Sequence, residues 1–529
     1  MARGSALLLL AVVGMGAFLS GLELMITAVA LPAIVIDLAD WTELRPASWI
    51  INGYLLVSIV VMPIAGQLSD RHGIPRVFLW ALVVFIAGSV LAGRAGSLGE
   101  LIAARLVQAI GGGALVPVAT AAASQLFAGP ARPRALGAIG ALTFLGMAAG
   151  PFAGSWVMQA IQPGRALDGL GVSGGLREAL EAPWRYVFYL NVPVGLATLA
   201  LGWAATAGWA APRREHRLDL TGAVAASIGL VALLLGITLA GSEPIPELAI
   251  DPGLLAAVLG VLALVAFFVA VLVGRRSPEP FIDTGWFRSA SFSSAAIVSL
   301  LTGYGFATAI IGGAVFVDRV LYGGPDQQRI ALGALAAATA AGALVSGLVL
   351  RAAGMRATTL AGLAASIVAL FRMSGWTPGT PIGEVALWLA LFGAGFGLTV
   401  TPRSTAAVAA LGERAYGIAS ATVTVARMIG MAIGLAALTA FGSTIIDRLW
   451  TQVRATPDAY KAYIPEGLRD RAFNDGLVVQ ALESWASGEA ARILVGVFLV
   501  AAAVMAIAIL PTLALGRGSP PAGESVIAG

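Results

Sequence analysis

Long apolar blocks separated by short polar seams set the rhythm of this chain. The blocks run to about 20 residues, enough to cross a hydrocarbon core of roughly 30 Å at about 1.5 Å per residue. A β-barrel would instead show short strands with alternating apolar and polar positions. Fourteen blocks are read, at roughly 5–36, 48–69, 77–95, 98–127, 132–161, 186–209, 219–241, 252–273, 289–318, 327–351, 356–373, 382–410, 414–447 and 488–514. The pattern predicts an all-α polytopic membrane protein with 14 transmembrane helices.

Composition agrees with the pattern. Of 529 residues, 58% are hydrophobic and only 11% are charged, whereas about a quarter of an ordinary soluble chain is charged. Arg3 followed by an apolar run looks like a signal peptide. The run continues past Ser20 to about Ile36 with no small-residue cleavage site, so it is read as an uncleaved first helix. The absence of cysteine excludes disulfides and thiolate metal sites. The two histidines, His72 and His216, fall in polar seams, which leaves no material for a metal site or a histidine-based catalytic centre at depth. Basic residues are scattered rather than gathered in one patch, so nucleic acid is not an expected partner.

An even number of crossings puts both termini on one side. Seams on that side carry Arg71, Arg76, Arg132, Arg134, Arg275, Arg276, Arg351 and Arg356, while the opposite seam "SEPIPELAID" is acidic. The positive-inside rule therefore predicts cytoplasmic termini; the plasma (inner) membrane of a bacterium is the expected location. Four charged residues remain at membrane depth: Glu23, Arg105, Arg403 and Arg427. Each costs several kcal/mol unless paired or hydrated, so each is a functional candidate.

Three stretches carry further chemistry. "GQLSDRHGIPRV" places Gly66, Asp70, Arg71, Gly73 and Arg76 in one tight turn. Glycines there permit close helix approach, and Asp70 can either cap a helix N-terminus or pair with an arginine, locking a gate. "RLVQAIGGGALVPV" puts Arg105 more than one helical turn inside its span, with Gln108 beside it. "GALTFLGMAAGPFAGSWV" spaces Gly146, Gly150, Pro151 and Gly154 so that one helix can press closely on another and bend.

Together these stretches resemble the loop, fourth-helix and fifth-helix motifs of the major facilitator superfamily, in its fourteen-helix drug–proton antiporter branch. "WRYVFYLNVPVG" is similar to a stretch typical of that branch. The resemblance implies two six-helix halves around a central cavity, at 1–210 and 289–529, with two linker helices at 211–288. It implies alternating access driven by a proton gradient, with no other cofactor. Glu23 stands where the family commonly has Asp. The resemblance links Arg105 to proton coupling, and Glu23 and Arg427 are expected to face each other or to compete for one water-filled site, with Glu23 as the protonatable switch. "RAAGMR" falls where the second half would echo the loop motif, but lacks its Asp.

The segment 443–489 is unusually long for an outer loop of this fold. Ile445, Ile446, Leu449, Trp450 and Val453 form one helical stripe; Leu477, Val478, Leu482 and Trp485 form another. An extended extracytoplasmic helical hairpin is expected between the last two spans. Its stripes either pack on each other, shield a lipid leaving the membrane, or dock a partner. This architecture resembles the mycobacterial triacylglyceride exporters, which implies a hydrophobic or lipid substrate and an extracytoplasmic lipoprotein partner. Export of amphipathic drugs or dyes stays open beside it. A phosphate-binding loop is missing, as is a nucleophile–base pair at depth, so neither ATP-driven pumping nor an intramembrane enzyme is expected.

Overall fold

The computed structural model describes residues 3–38, 49–161, 180–206, 219–240, 251–277, 280–281, 283–412, 415–438 and 458–516, with isolated positions between them. Described helices are α1 (Arg3–Leu38), α2 (Trp49–His72), α3 (Ile74–Arg94), α4 (Leu98–Leu126), α5 (Arg132–Ala160), α6 (Asn191–Thr206) and α7 (Leu220–Ala240). They continue with α8 (Pro252–Gly274), α9 (Ala290–Val315), α10 (Pro325–Met373), α11 (Ile382–Leu411), α12 (Tyr416–Leu438) and α13 (Gly476–Ile507). No strand occurs among the described residues. Side chains close several helix starts: Ser97 accepts from Glu100 N, Asp251 from Gly253 N and Ser289 from Phe292 N. Each such cap satisfies a backbone N–H that the helix itself leaves open.

Thirteen described helices are long and apolar enough to cross a membrane, one fewer than the apolar blocks. The difference lies in α10, whose 49 residues cover two blocks. Gly354 interrupts it at φ 81°, ψ 172°, a left-handed region that favours glycine. A Cβ at Gly342 would press on the Ala394 backbone, and one at Gly362 would lie 2.5 Å from the Gly395 carbonyl. Positions about 20 residues apart therefore meet neighbouring turns of α11, although a straight helix would hold them roughly 30 Å apart. The chain folds back at Gly354, in the middle of "RAAGMR". Gly73 (φ 91°) makes the corresponding turn between α2 and α3.

Glycine contacts set the closest helix pairs. Gly146 and Gly150 press α5 onto α1, where a Cβ at Gly150 would lie 2.7 Å from the Met25 Cβ. Gly303 and Gly430 press α9 and α12 together in the same way. Phe144 on α5, Phe306 on α9 and Phe396 on α11 join these pairs at the centre, with ring centroids 5.7 Å (Phe144–Phe306) and 4.5 Å (Phe306–Phe396) apart. Helix α7 packs along α8 and touches both α2 and α12, where Leu234 meets Ile59, Met62 and Met428.

Candidate functional site

Glu23 sits in the middle of α1 with no exposed surface. Its Oε1 accepts from Arg105 Nη1, and Thr27, one turn on, donates to the same oxygen at 2.9 Å. Its Oε2 accepts from Asn191 Nδ2 at the start of α6. Arg105 is 1% exposed, so water does not separate the two charges. The guanidinium is held from three further sides. Its Nε donates to the Ile50 carbonyl at 3.2 Å, its Nη1 to Gln108 Oε1 at 2.6 Å, and its centre lies 4.2 Å from the Tyr54 ring centroid. Gln108 passes the chain on to Ser89 Oγ at 2.8 Å. Two charges out of water are tolerable in such geometry because the pair's own atoms are bonded, while Asn191 Oδ1 and Tyr54 Oη beside them have no hydrogen-bond partner among the described residues.

The expected Glu23–Arg427 pair does not form; Glu23 pairs with Arg105. Depth and direction explain the difference. Counted from the Asp70 end of the bundle, Glu23 lies about 20 residues along α1 and Arg105 about 21 residues from the end of α4. Arg427 lies only about 11 residues along α12, roughly 14 Å short of them. Glu23 also points toward α4 and α6, whereas its neighbour Leu24 faces the central cavity. Arg427 lines that cavity with its guanidinium 5.7 Å from the Phe144 ring centroid. Arg403 is buried in α11, donating to the Thr399 carbonyl at 2.8 Å and to Thr302 Oγ1.

At the far end of α2, Asp70 caps the start of α12. Its Oδ1 accepts from Gly417 N at 2.9 Å and its Oδ2 from Ile418 N at 3.1 Å. A carboxylate on the first turn of α12 meets the positive end of that helix. Beneath it Gly66 and Gly417 face each other, and a Cβ at Gly66 would lie 2.7 Å from the Gly417 carbonyl. Arg132 adds a second tie, with Nη2 donating to Tyr416 Oη at 2.9 Å and Nε to the Ser124 and Phe127 carbonyls. Residues far apart in sequence are thus latched at one end of the bundle. Arg71 and Arg76 make no hydrogen bond or ion pair among the described residues, and Arg76 is exposed.

The glycines of α5 support the cage from behind. Gly146, Gly150 and Gly154 bring α5 against Phe18, Met25 and Val29 of α1, on either side of Glu23 along the helix. Pro151 lies within the same helix.

The outer stripe holds in part. Val478 and Leu482 are buried with Tyr460 and Ile464, and Trp485 packs beside them. Leu477 is 49% exposed and does not belong to this stripe. It precedes Val478 by one residue, and one residue turns a side chain about 100° around a helix. Helix α13 therefore starts well before its apolar block, capped by Asp475, with Ser487 donating to the Val320 carbonyl at 2.8 Å. Leu449, Trp450 and Val453 lie outside the described residues.

Asn191 and Gly417 were not singled out from sequence. Asn191 shows itself only as a polar residue opening an apolar span, and Gly417 as one of many glycines.

The described helices thus form a multi-pass bundle with a buried ion pair and a cap between helices distant in sequence. The chain belongs to the Major Facilitator Superfamily, whose model matches residues 13–435. It is 32% identical over 431 residues to a triacylglyceride transporter of Mycolicibacterium hassiacum, covering 79% of this chain and 76% of that one. It is 28% identical over 433 residues to multidrug resistance protein 3 of Bacillus subtilis, covering 81% and 77%. Among solved structures, it resembles a bacterial homologue of the human lysosomal transporter Spinster in its inward-facing, unoccupied conformation. That likeness has TM-score 0.59 at 18% identity, covering 97% of this chain and 98% of that one, and it speaks to the fold. The protein is a transporter and not an enzyme.

Proposed function

We propose that this protein is a proton-coupled exporter of hydrophobic molecules, lipids of triacylglyceride type foremost, working by alternating access from the plasma membrane of a bacterium. Both termini then lie in the cytoplasm and the Asp70 latch closes the cytoplasmic end. The folding back at Gly354 supports fourteen crossings. The observation that carries the reading is Glu23: a fully buried carboxylate with both oxygens occupied, one of them by Arg105. Protonation of such a group removes the attraction that holds α1 to α4 and α6, so a proton changes the packing of one half. Arg105, Asn191 and Thr27 position the carboxylate. Gly146, Gly150 and Gly154 give α5 the close seat on α1 through which the change reaches the central helices.

The substrate class is supported by similarity to a named triacylglyceride transporter and by a cavity rich in methionine and aromatic side chains. Similarity to a multidrug resistance protein favours a second reading, efflux of amphipathic drugs or dyes. Against cationic drugs stands the absence of any carboxylate from the described cavity walls. Reconstitution in liposomes under an imposed pH gradient separates the two. Gradient-driven lipid transfer that Glu23→Gln abolishes is the expected result. Dye efflux without lipid transfer would leave only the second reading, and full gradient-driven activity in Glu23→Gln would remove the proton site.

A further inference from the structure

The interior beside the Glu23 cage holds two adjoining chambers of opposite character. One lies among α4, α5, α9, α11 and α12 and presents Arg403, Arg427 and the hydroxyls of Thr120, Ser299, Ser404 and Thr424. The other lies among α1, α2, α5, α9 and α12 and presents Leu24, Ile59, Met62, Met147, Met428 and Met431. Arg427 and Phe144 belong to both walls, at the junction. Both chambers are narrow in this conformation.

Their charge is one-sided. No carboxylate lines either chamber among the described residues. The acid closest in sequence, Glu23, is turned away and held by Arg105. Arg403 donates only to a carbonyl and a hydroxyl, which leaves its charge uncompensated. Arg427 makes no hydrogen bond or ion pair among the described residues, and its buried Nε has no partner. Its backbone is nonetheless fixed, because Gly303 of α9 packs directly against the Arg427 carbonyl. A rigidly placed guanidinium with a free donor, a second guanidinium in the same chamber and no protein anion make an incomplete site.

We infer that the two chambers together bind an amphiphile with an anionic head, a carboxylate or a phosphate ester. The head lies between Arg403 and Arg427, where guanidinium forks match planar or tetrahedral oxyanions, and the tail lies among the methionines, which repack around irregular chains. The inference rests on the exporter reading and, among the hydrophobic molecules it covers, adds acidic amphiphiles to the neutral lipids.

Binding tests it without transport. The full-length protein in nanodiscs of uncharged lipid is titrated with oleate, oleoyl lysophosphatidate, oleyl alcohol and inorganic phosphate, with intrinsic tryptophan fluorescence as readout. At least one anionic amphiphile is expected to bind about tenfold or more tightly than the alcohol. Preference for lysophosphatidate assigns a phosphate head, and preference for oleate a carboxylate. Arg427→Gln should erase the preference while leaving affinity for the alcohol unchanged, and Arg427→Lys should keep most of it. The unliganded melting temperature of each variant controls for folding, and Arg403→Gln replaces any variant that does not fold. Equal binding of alcohol and acids, a response to phosphate alone as strong as to the amphiphiles, or a preference surviving Arg427→Gln would overturn the inference. Charge-selective binding without lipid transfer contradicts the exporter reading alone; lipid transfer without charge-selective binding contradicts this inference alone.

Discussion

The two regions with buried charge differ in one respect that decides their roles. In α1 and α4, Glu23 and Arg105 balance each other, and Asn191, Thr27, Gln108 and the Ile50 carbonyl fill the remaining bonding positions. In α11 and α12, Arg403 and Arg427 have no acid at all among the described residues. A balanced buried pair is poised to respond when one partner gains a proton. An unbalanced pair of cations is a surface awaiting a counter-ion from outside the chain. Both regions are seated by the same device, glycine contacts between α1 and α5 and between α9 and α12.

Removing one partner of the balanced pair should have the largest effect. Arg105→Met strands a buried carboxylate and is expected to cost about 3–5 kcal/mol, seen as a fall in melting temperature of the purified protein. Adding Glu23→Gln to that variant should restore most of the loss; if it does not, the cage is not an ion pair. Asn191→Leu removes one hydrogen bond to a charged acceptor, and a loss of about 1.5–3 kcal/mol is expected in the same measurement. At the latch, Asp70→Asn weakens the cap on α12 by roughly 0.3–1 kcal/mol. The melting temperature of Asp70→Asn should fall by the corresponding small amount, and an unchanged value would exclude Asp70 as a stabilising tie. Arg427→Gln should have the smallest effect, within about 0.5 kcal/mol of the parent or stabilising, because no protein anion is orphaned. A loss as large as that of Arg105→Met would erase the contrast between the two regions.

Much of the fold was legible because bilayer thickness sets block length, and the boundaries of α7, α8 and α11 follow the apolar blocks within a few residues. Glu23 and Arg105 stood out because charge at depth is rare. Their pairing did not stand out, since which of three arginines meets the acid depends on depth and helix rotation. The depth count along α1, α4 and α12 would have chosen Arg105 over Arg427, had each helix been measured from the same end. Asn191 escaped notice because one amide among many polar residues carries no pattern. Asp70 was legible as a cap or an ion-pair partner; only the position of α12 showed which helix it caps. Leu477 was misplaced because it lies about 100° from Val478, off the edge of the stripe that Val478, Leu482 and Trp485 form.

The central claim is that Glu23 changes protonation as the transporter opens. Difference infrared spectroscopy of the carboxyl stretch reads this directly, on protein moved between pH values with and without a transported amphiphile. The wild type should show a protonated-carboxyl band that Glu23→Gln lacks and Asp70→Asn keeps. A band that persists unchanged in Glu23→Gln, or a Glu23 that stays ionised throughout, would contradict the account.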